Sequence, residues 1–180
     1  MYSYSSIGKN KVEVAAKKIE EINPFVNIEY FNLKINDNNI NDLIDNYDII
    51  LDSLDNFESR YIVEKACCLK NKIVVHGSVS RFQGQVSVFT PESACYNCIF
   101  PNKLDMNDIN SDEENLIFGS VTGIIGIIQA MECVKIILDI GDHLINKLLC
   151  YNALNQTINI IKIDKDPNCL VCGKGDIDNE

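Results

Sequence analysis

The order of the predicted elements gives an α/β fold, in which parallel strands with crossover helices are followed by antiparallel strands. Three observations carry this expectation. Helical and strand-like segments alternate up to Ser78, the pattern of a parallel sheet with crossover helices. Two apolar runs, in "DIILDSL" and "KIVVHGS", lack polar alternation, as expected of strands covered on both faces. Two CxxC pairs, in "CYNC" and "CLVC", stand about 70 residues apart, a spacing that lets one metal ion staple the later part of the chain.

Each element follows from its own pattern. "KNKVEVAAKKIEEINP" repeats Val12, Ala15, Ala16, Ile19 and Ile22 at helical spacing, and Pro24 stops it. "VNIEYFNL" alternates as a strand, "NINDLIDNY" is a short helix, and "DIILDSL" is a strand buried on both faces. "NFESRYIVEKACCLKN" suits a second amphipathic helix, and "KIVVHGS" another buried strand. "RFQGQVSVFT" is a turn followed by a strand, and "NKLDMNDINSDEEN" a polar, acidic loop. "SVTGIIGIIQAMECVKIILDIG" is an apolar helix with Gly141 as its C-cap, and "KLLCYNALNQTINIIKI" two strands around a polar turn. Neither a repeat nor a linker divides the chain, so residues 1–180 are expected to form one domain with a Rossmann-like sheet.

Composition narrows the function classes. The chain has 180 residues, a hydrophobic fraction of 46%, a formal charge of −10 and a pI near 4.6. That surface argues against nucleic acid or an anionic membrane as the main partner, though local amides and a metal ion can still hold ATP. No apolar run of spanning length is found, and the opening "MYSYSSIGKNK" has no signal-like apolar region. A reducing, cytoplasmic location is expected, with the 8 cysteines as thiols or metal ligands.

Cys95, Cys98, Cys169 and Cys172 form two CxxC knuckles. Tetrahedral zinc takes four soft ligands, two from each tight turn, and Gly173 leaves room for such a turn. A single CxxC would equally suit a redox site; two pairs favour a closed, structural zinc site. The remaining cysteines, Cys67, Cys68, Cys133 and Cys150, read as small hydrophobes. His76, in a buried strand, reads as a satisfied core histidine, and His143 falls in a turn.

"IGKNKVEVAAKKIEEINP", "DIILDSLDNFESRYIVEKAC", "VHGSVSRFQGQVSVF", "CYNCIFP", "GIIGIIQAMECVKIIL" and "DPNCLVCGKG" together resemble one family. It is the ubiquitin-activating (E1)-like adenylating enzymes, of the molybdopterin-synthase and thiamine-pathway sulfurylase (MoeB/ThiF/HesA) type. The resemblance implies ATP- and Mg²⁺-dependent adenylation of the terminal Gly-Gly carboxylate of a ubiquitin-fold carrier protein, in a homodimer. It places Lys11 at the phosphates, Asp55 at the metal and nucleotide, and Asn56 at the nucleotide. Lys11 also suits a solvated helix start, and Asn56 also suits a helix N-cap. Arg60 and Arg81 match family arginines, as anion contacts or as core salt-bridge partners. Asp52, inside the strand run, is the structural carboxylate of the pair.

The sequence departs from the family pattern in two places. The glycine-rich nucleotide loop is missing, and "GSVTGIIG" is expected to serve close helix packing instead. The chain therefore reads as the carboxyl-terminal portion of a longer adenylation domain, or as a divergent chain that borrows the loop from a partner. The loop before the apolar helix has Asp112 near the position where some relatives carry a cysteine. A covalent sulfur intermediate is not expected on this chain. The alternative reading is a non-catalytic subunit that binds the ubiquitin-like protein within a heterodimeric activating enzyme.

Overall fold

A computed structural model describes residues 2–101 and 117–173. The backbone divides into two compact units, Met1–Ile35 and Asn36–Glu180. The acidic loop of residues 102–115, with Asp112, lies outside the described residues.

In the first unit a short 3₁₀ turn, Tyr4–Ser6, precedes helix α1, Lys11–Ile22. Asn10 caps α1, its side-chain oxygen accepting from the Val12 amide at 3.2 Å. The predicted strand in "VNIEYFNL" is not formed. A strand needs a neighbouring backbone to satisfy its amides, and no strand of this unit is available to it among the described residues. Alternation alone therefore leaves the segment irregular, with Tyr30, Phe31 and Leu33 exposed.

The second unit carries the sheet. Its elements run α2 (Ile40–Ile44), β1 (Ile49–Asp52), α3 (Phe57–Leu69), β2 (Ile73–Ser80), β3 (Gln83–Phe89), α4 (Tyr96–Ile99), α5 (Gly119–Leu138), β4 (Lys147–Asn152) and β5 (Thr157–Lys162). Strand order in the sheet is β1-β2-β3-β4-β5. β1 and β2 are parallel, joined through α3, and the other pairs are antiparallel. The expected parallel-then-antiparallel sheet is thus present, with one parallel pair. Arg81 and Phe82 make the β2–β3 turn, where Arg81 is exposed and left-handed at φ 49°.

Alternation along β2 decides what lies on each face. His76 points to α3, where it meets Arg60, while Val75 and Gly77 point to α5. The core on the α5 side gathers Val75, Val86, Val88, Val121, Ile125 and Leu149. β1 is less covered than its unbroken apolar run suggested, with Leu51 51% exposed. It stands at the sheet edge, and α5 lies over β2 and β3 instead.

Helix α5 is long and apolar enough, by length and composition, to cross a membrane, which the sequence reading had not found. Here one of its faces buries Val121, Ile125, Gln129 and Glu132. Its left-handed cap is Asp139 (φ 50°) rather than Gly141, which is left-handed two residues later. Among the described residues nothing lies within 4 Å of where a Cβ on Gly119, Gly123 or Gly126 would go, so none of these residues packs closely on them. Close packing falls to two glycines of the sheet. A Cβ on Gly77 would lie 2.3 Å from the Gln129 side chain, and one on Gly84 2.3 Å from Ile125 Cγ1. Gly84→Ala should destabilise the protein by about 1–3 kcal/mol through overpacking, read as a lower denaturant midpoint.

Candidate functional site

The carboxyl end of β1 turns into α3 through Ser53, Leu54, Asp55 and Asn56. Asn56 is the N-cap of α3, its side-chain oxygen accepting from the Ser59 amide at 2.8 Å. Its Nδ2 donates to Asp55 Oδ1 at 3.1 Å. Asp55 is exposed, so an acidic group faces solvent beyond the end of a parallel strand and beside a helix N-terminus. Open α/β sheets bind ligands at such a place.

Beneath the turn lies a buried polar cluster. Asp52 Oδ1 accepts from the Leu54 amide at 3.0 Å. Its Oδ2 accepts from Arg60 Nη1 at 3.0 Å and lies 2.9 Å from His76 Nδ1. Arg60 also donates to the carbonyls of Gly77, at 3.2 Å, and of Leu54. The guanidinium is thus a core salt-bridge partner that grips the turn's backbone, one of the two roles expected of it. Arg60 Nη1 lies 2.8 Å from His76 Nδ1 and 3.3 Å from Nε2, so the guanidinium, the imidazole and the Asp52 carboxylate form one contact network. Burial holds His76 below its ordinary pKa, while its hydrogen bond with Asp52 acts the other way.

Glu64 completes the cluster, with Oε1 3.7 Å from His76 Nδ1 and without a hydrogen-bond partner among the described residues. Burial, and then the charge of Asp52, push its carboxyl well above the ordinary range, while Arg60 pulls the other way. Arg60 and Asp52 form the ion pair of the cluster, at 3.0 Å. Asp52, Glu64 and His76 could by position hold a metal ion, but the Arg60 guanidinium already supplies the cation there. The raised pKa has a signed consequence. Above about pH 4.5 the unfolded chain releases a proton that the folded one keeps, so Glu64's contribution to stability is full below that pH and lost as pH rises through the folded pKa. Glu64→Gln should therefore gain stability relative to the parent as pH rises, in urea midpoints taken across a pH series.

Two residues that sequence reasoning passed over anchor α5. Gln129 Nε2 donates to the carbonyls of Asp52 and Val75, both at 3.0 Å, and Oε1 accepts from Ser53 Oγ at 3.3 Å. Glu132 Oε2 accepts from the Leu144 amide at 2.9 Å, and its other oxygen pairs with Lys135. Both are nearly fully buried. The available signal was two polar residues three apart in an otherwise apolar helix, continuing the face of Val121 and Ile125.

The four predicted metal ligands converge. Cys95 Sγ lies 3.8 Å from Cys98 and 3.5 Å from Cys169, and Cys98 Sγ lies 3.3 Å from Cys172. Zinc–sulfur bonds of about 2.3 Å put tetrahedral corners about 3.8 Å apart, so the set fits a four-thiolate ion. Burial and the neighbouring thiols raise the Cys95 pKa, and the same causes bring Cys172 up to about 12. Burial also acts to raise Cys169, but the Cys172 and Val171 amides and the Asn97 side chain bring it down to about 6. A bound cation would supply the charge the other thiols need to ionise. Gly173 fits the close turn, since a Cβ there would lie 2.5 Å from the Cys169 carbonyl oxygen.

Lys11 is exposed at the first position of α1, in the first unit, its carbonyl accepting from the Tyr2 hydroxyl at 3.4 Å. Arg81 forms no ion pair among the described residues. Cys67, Cys68, Cys133 and Cys150 are unpaired thiols held above their ordinary pKa, by burial first.

This fold, with an acidic turn at the end of its parallel pair and a four-cysteine cluster that could hold a metal ion, defines a Rossmann-like α/β protein. The ThiF family matches residues 1–171, and the chain belongs to that family. It is 31% identical over 173 residues to the SAMP-activating enzyme E1 of Haloferax volcanii, covering 96% of this chain and 64% of that protein. With the sulfur carrier protein adenylyltransferase of Thermus thermophilus the identity is 32% over 179 residues, covering 96% and 66%. With the probable molybdopterin-synthase adenylyltransferase of Gracilaria tenuistipitata it is 38% over 164 residues, covering 91% and 46%. The chain thus spans between about half and two thirds of the length of these relatives. Among solved structures, E. coli MccB has the same fold, with a TM-score of 0.82 at 23% identity over 96% of this chain and 53% of that one.

Proposed function

We propose that this chain carries the nucleotide- and carrier-activating part of an ATP-dependent adenylyltransferase. The carboxylate ending a ubiquitin-fold protein attacks the α-phosphorus of ATP. The bond to the bridging oxygen breaks, giving an acyl-adenylate and pyrophosphate. The observation that carries this reading is Asp55, exposed at the carboxyl end of the parallel pair and held there by Asn56. The relatives named as adenylyltransferases support it.

The reaction brings anion against anion, so positioning and positive charge decide its rate. Asp55 would hold the magnesium of the ATP complex, a hard cation that prefers oxygen ligands, and that ion's charge would offset the phosphates. Lys11 would contact the phosphates and Asn56 the nucleotide. Arg60 acts from below, by gripping the Leu54 carbonyl. The four-cysteine cluster would hold zinc with no open position, hence structurally.

Ile127, Met131 and Ile137 are exposed along α5, which supports self-association as a homodimer. Eight free thiols and an acidic surface support a cytoplasmic protein with neither nucleic acid nor membrane as its main partner. ATP–pyrophosphate exchange by the natural full-length protein tests the reading. Exchange should appear only when a ubiquitin-fold protein ending in Gly-Gly is added. Tight binding of that protein without exchange would favour a non-catalytic subunit of a heterodimeric enzyme.

A further inference from the structure

We propose that Gln129 is a positioning residue for the nucleotide-binding turn, fixing the segment that carries Asp55 to strand β2 and helix α5. The inference rests on the adenylyltransferase reading and deepens it at one site. A buried amide has two donor hydrogens and one strong acceptor to satisfy. Gln129 spends all three at the carboxyl ends of the parallel strands. Nε2 bridges the carbonyls of Asp52 in β1 and Val75 in β2, and Oε1 receives the Ser53 hydroxyl. A glutamine serving only to pack the helix would need no bond to an exposed turn residue. Gly77 gives the amide its space, since a Cβ there would overlap the Gln129 side chain.

Three restraints thus hold the turn from different elements. Asp52 Oδ1 takes the Leu54 amide, Arg60 takes the Leu54 carbonyl, and Gln129 takes Ser53 and the last carbonyl of β1. Arg60 and Asp52 act from the α3 face and Gln129 from the α5 face. These bonds anchor Ser53 and Leu54 on one side of Asp55, and the Asn56 cap on Ser59 anchors the other. A preorganised ligand binds its cation without first losing freedom of motion.

The test is ATP binding to the natural full-length protein by calorimetry, with and without Mg²⁺. In the parent, Mg²⁺ should tighten ATP binding. Gln129→Met, of similar volume, should cut that gain about tenfold, and Ser53→Ala about threefold, with metal-free ATP binding within about twofold of the parent. Ser53→Ala should leave the thermal midpoint unchanged, and it decides the matter if Gln129→Met fails to fold. Asp55→Asn is the control and should abolish the Mg²⁺ gain. If Asp55→Asn abolishes it while Ser53→Ala and any folded Gln129→Met keep it, Gln129 is only a helix-to-sheet staple and the inference fails alone. A full Mg²⁺ gain in Asp55→Asn would overturn the nucleotide reading and the inference together.

Discussion

Asp55→Ala should lower carrier-dependent ATP–pyrophosphate exchange by about 10²–10³-fold, the range seen when one preorganised electrostatic contact to a reacting group is removed. Folding should hardly change. Asp55 is exposed and its carboxylate accepts from the neighbouring Asn56, and surface substitutions of this kind stay within about 0.5 kcal/mol. The cluster below provides the contrast. Asp52→Ala leaves Arg60 without its carboxylate in the interior and should cost about 3–5 kcal/mol of stability. The two aspartates, three residues apart, should therefore fail differently: one in exchange with its thermal midpoint kept, the other in the midpoint itself. Unchanged exchange in folded Asp55→Ala would remove Asp55 from the site.

Loss of the metal should have the largest effect on stability. Elemental analysis should find about one zinc ion per chain, and Cys169→Ala should release it. Zinc binding by small four-ligand sites is worth about 10–16 kcal/mol at neutral pH, so the segment around Cys169–Gly173 should detach from Cys95–Cys98 once the ion is gone. Protease cleavage confined to that end after chelation, and reversed by added zinc, is the expected readout. Exchange by any enzyme that stays folded should survive, because four thiolates would leave a tetrahedral ion no open position. A protein free of zinc yet equally resistant to protease would sink the assignment and leave a redox pair as the use of the CxxC motifs.

Much of this architecture was legible in the chain. The helix from Lys11, the short helix before Ile49, the strand–helix–strand unit around "DNFESR" and the final hairpin each announce themselves by local periodicity. The four clustered cysteines are a spacing signal. These features depend on neighbours a few residues away, or on ligand chemistry that few other arrangements satisfy. "VNIEYFNL" shows the limit: its alternation is real, but a strand exists only beside another strand. The glycines of α5 show another. They read as packing glycines, yet no described residue packs closely on them, while Gly77 and Gly84, unremarkable in a strand, are the ones α5 rests on.

The sequence by itself determined the element order from α2 onward, the four-cysteine cluster, the family, and Asp55 as the acidic residue just past β1, because each is written in residues adjacent in the chain or at fixed short spacing. Tertiary structure alone decided which polar groups meet: Arg60 with Asp52 and His76, and Gln129 with Asp52, Val75 and Ser53, the last across 76 residues of chain. Hydrogen bonds form between atoms about 3 Å apart whatever their separation in sequence. A buried glutamine's partners are therefore fixed by how the helix seats on the sheet, and no local pattern encodes that.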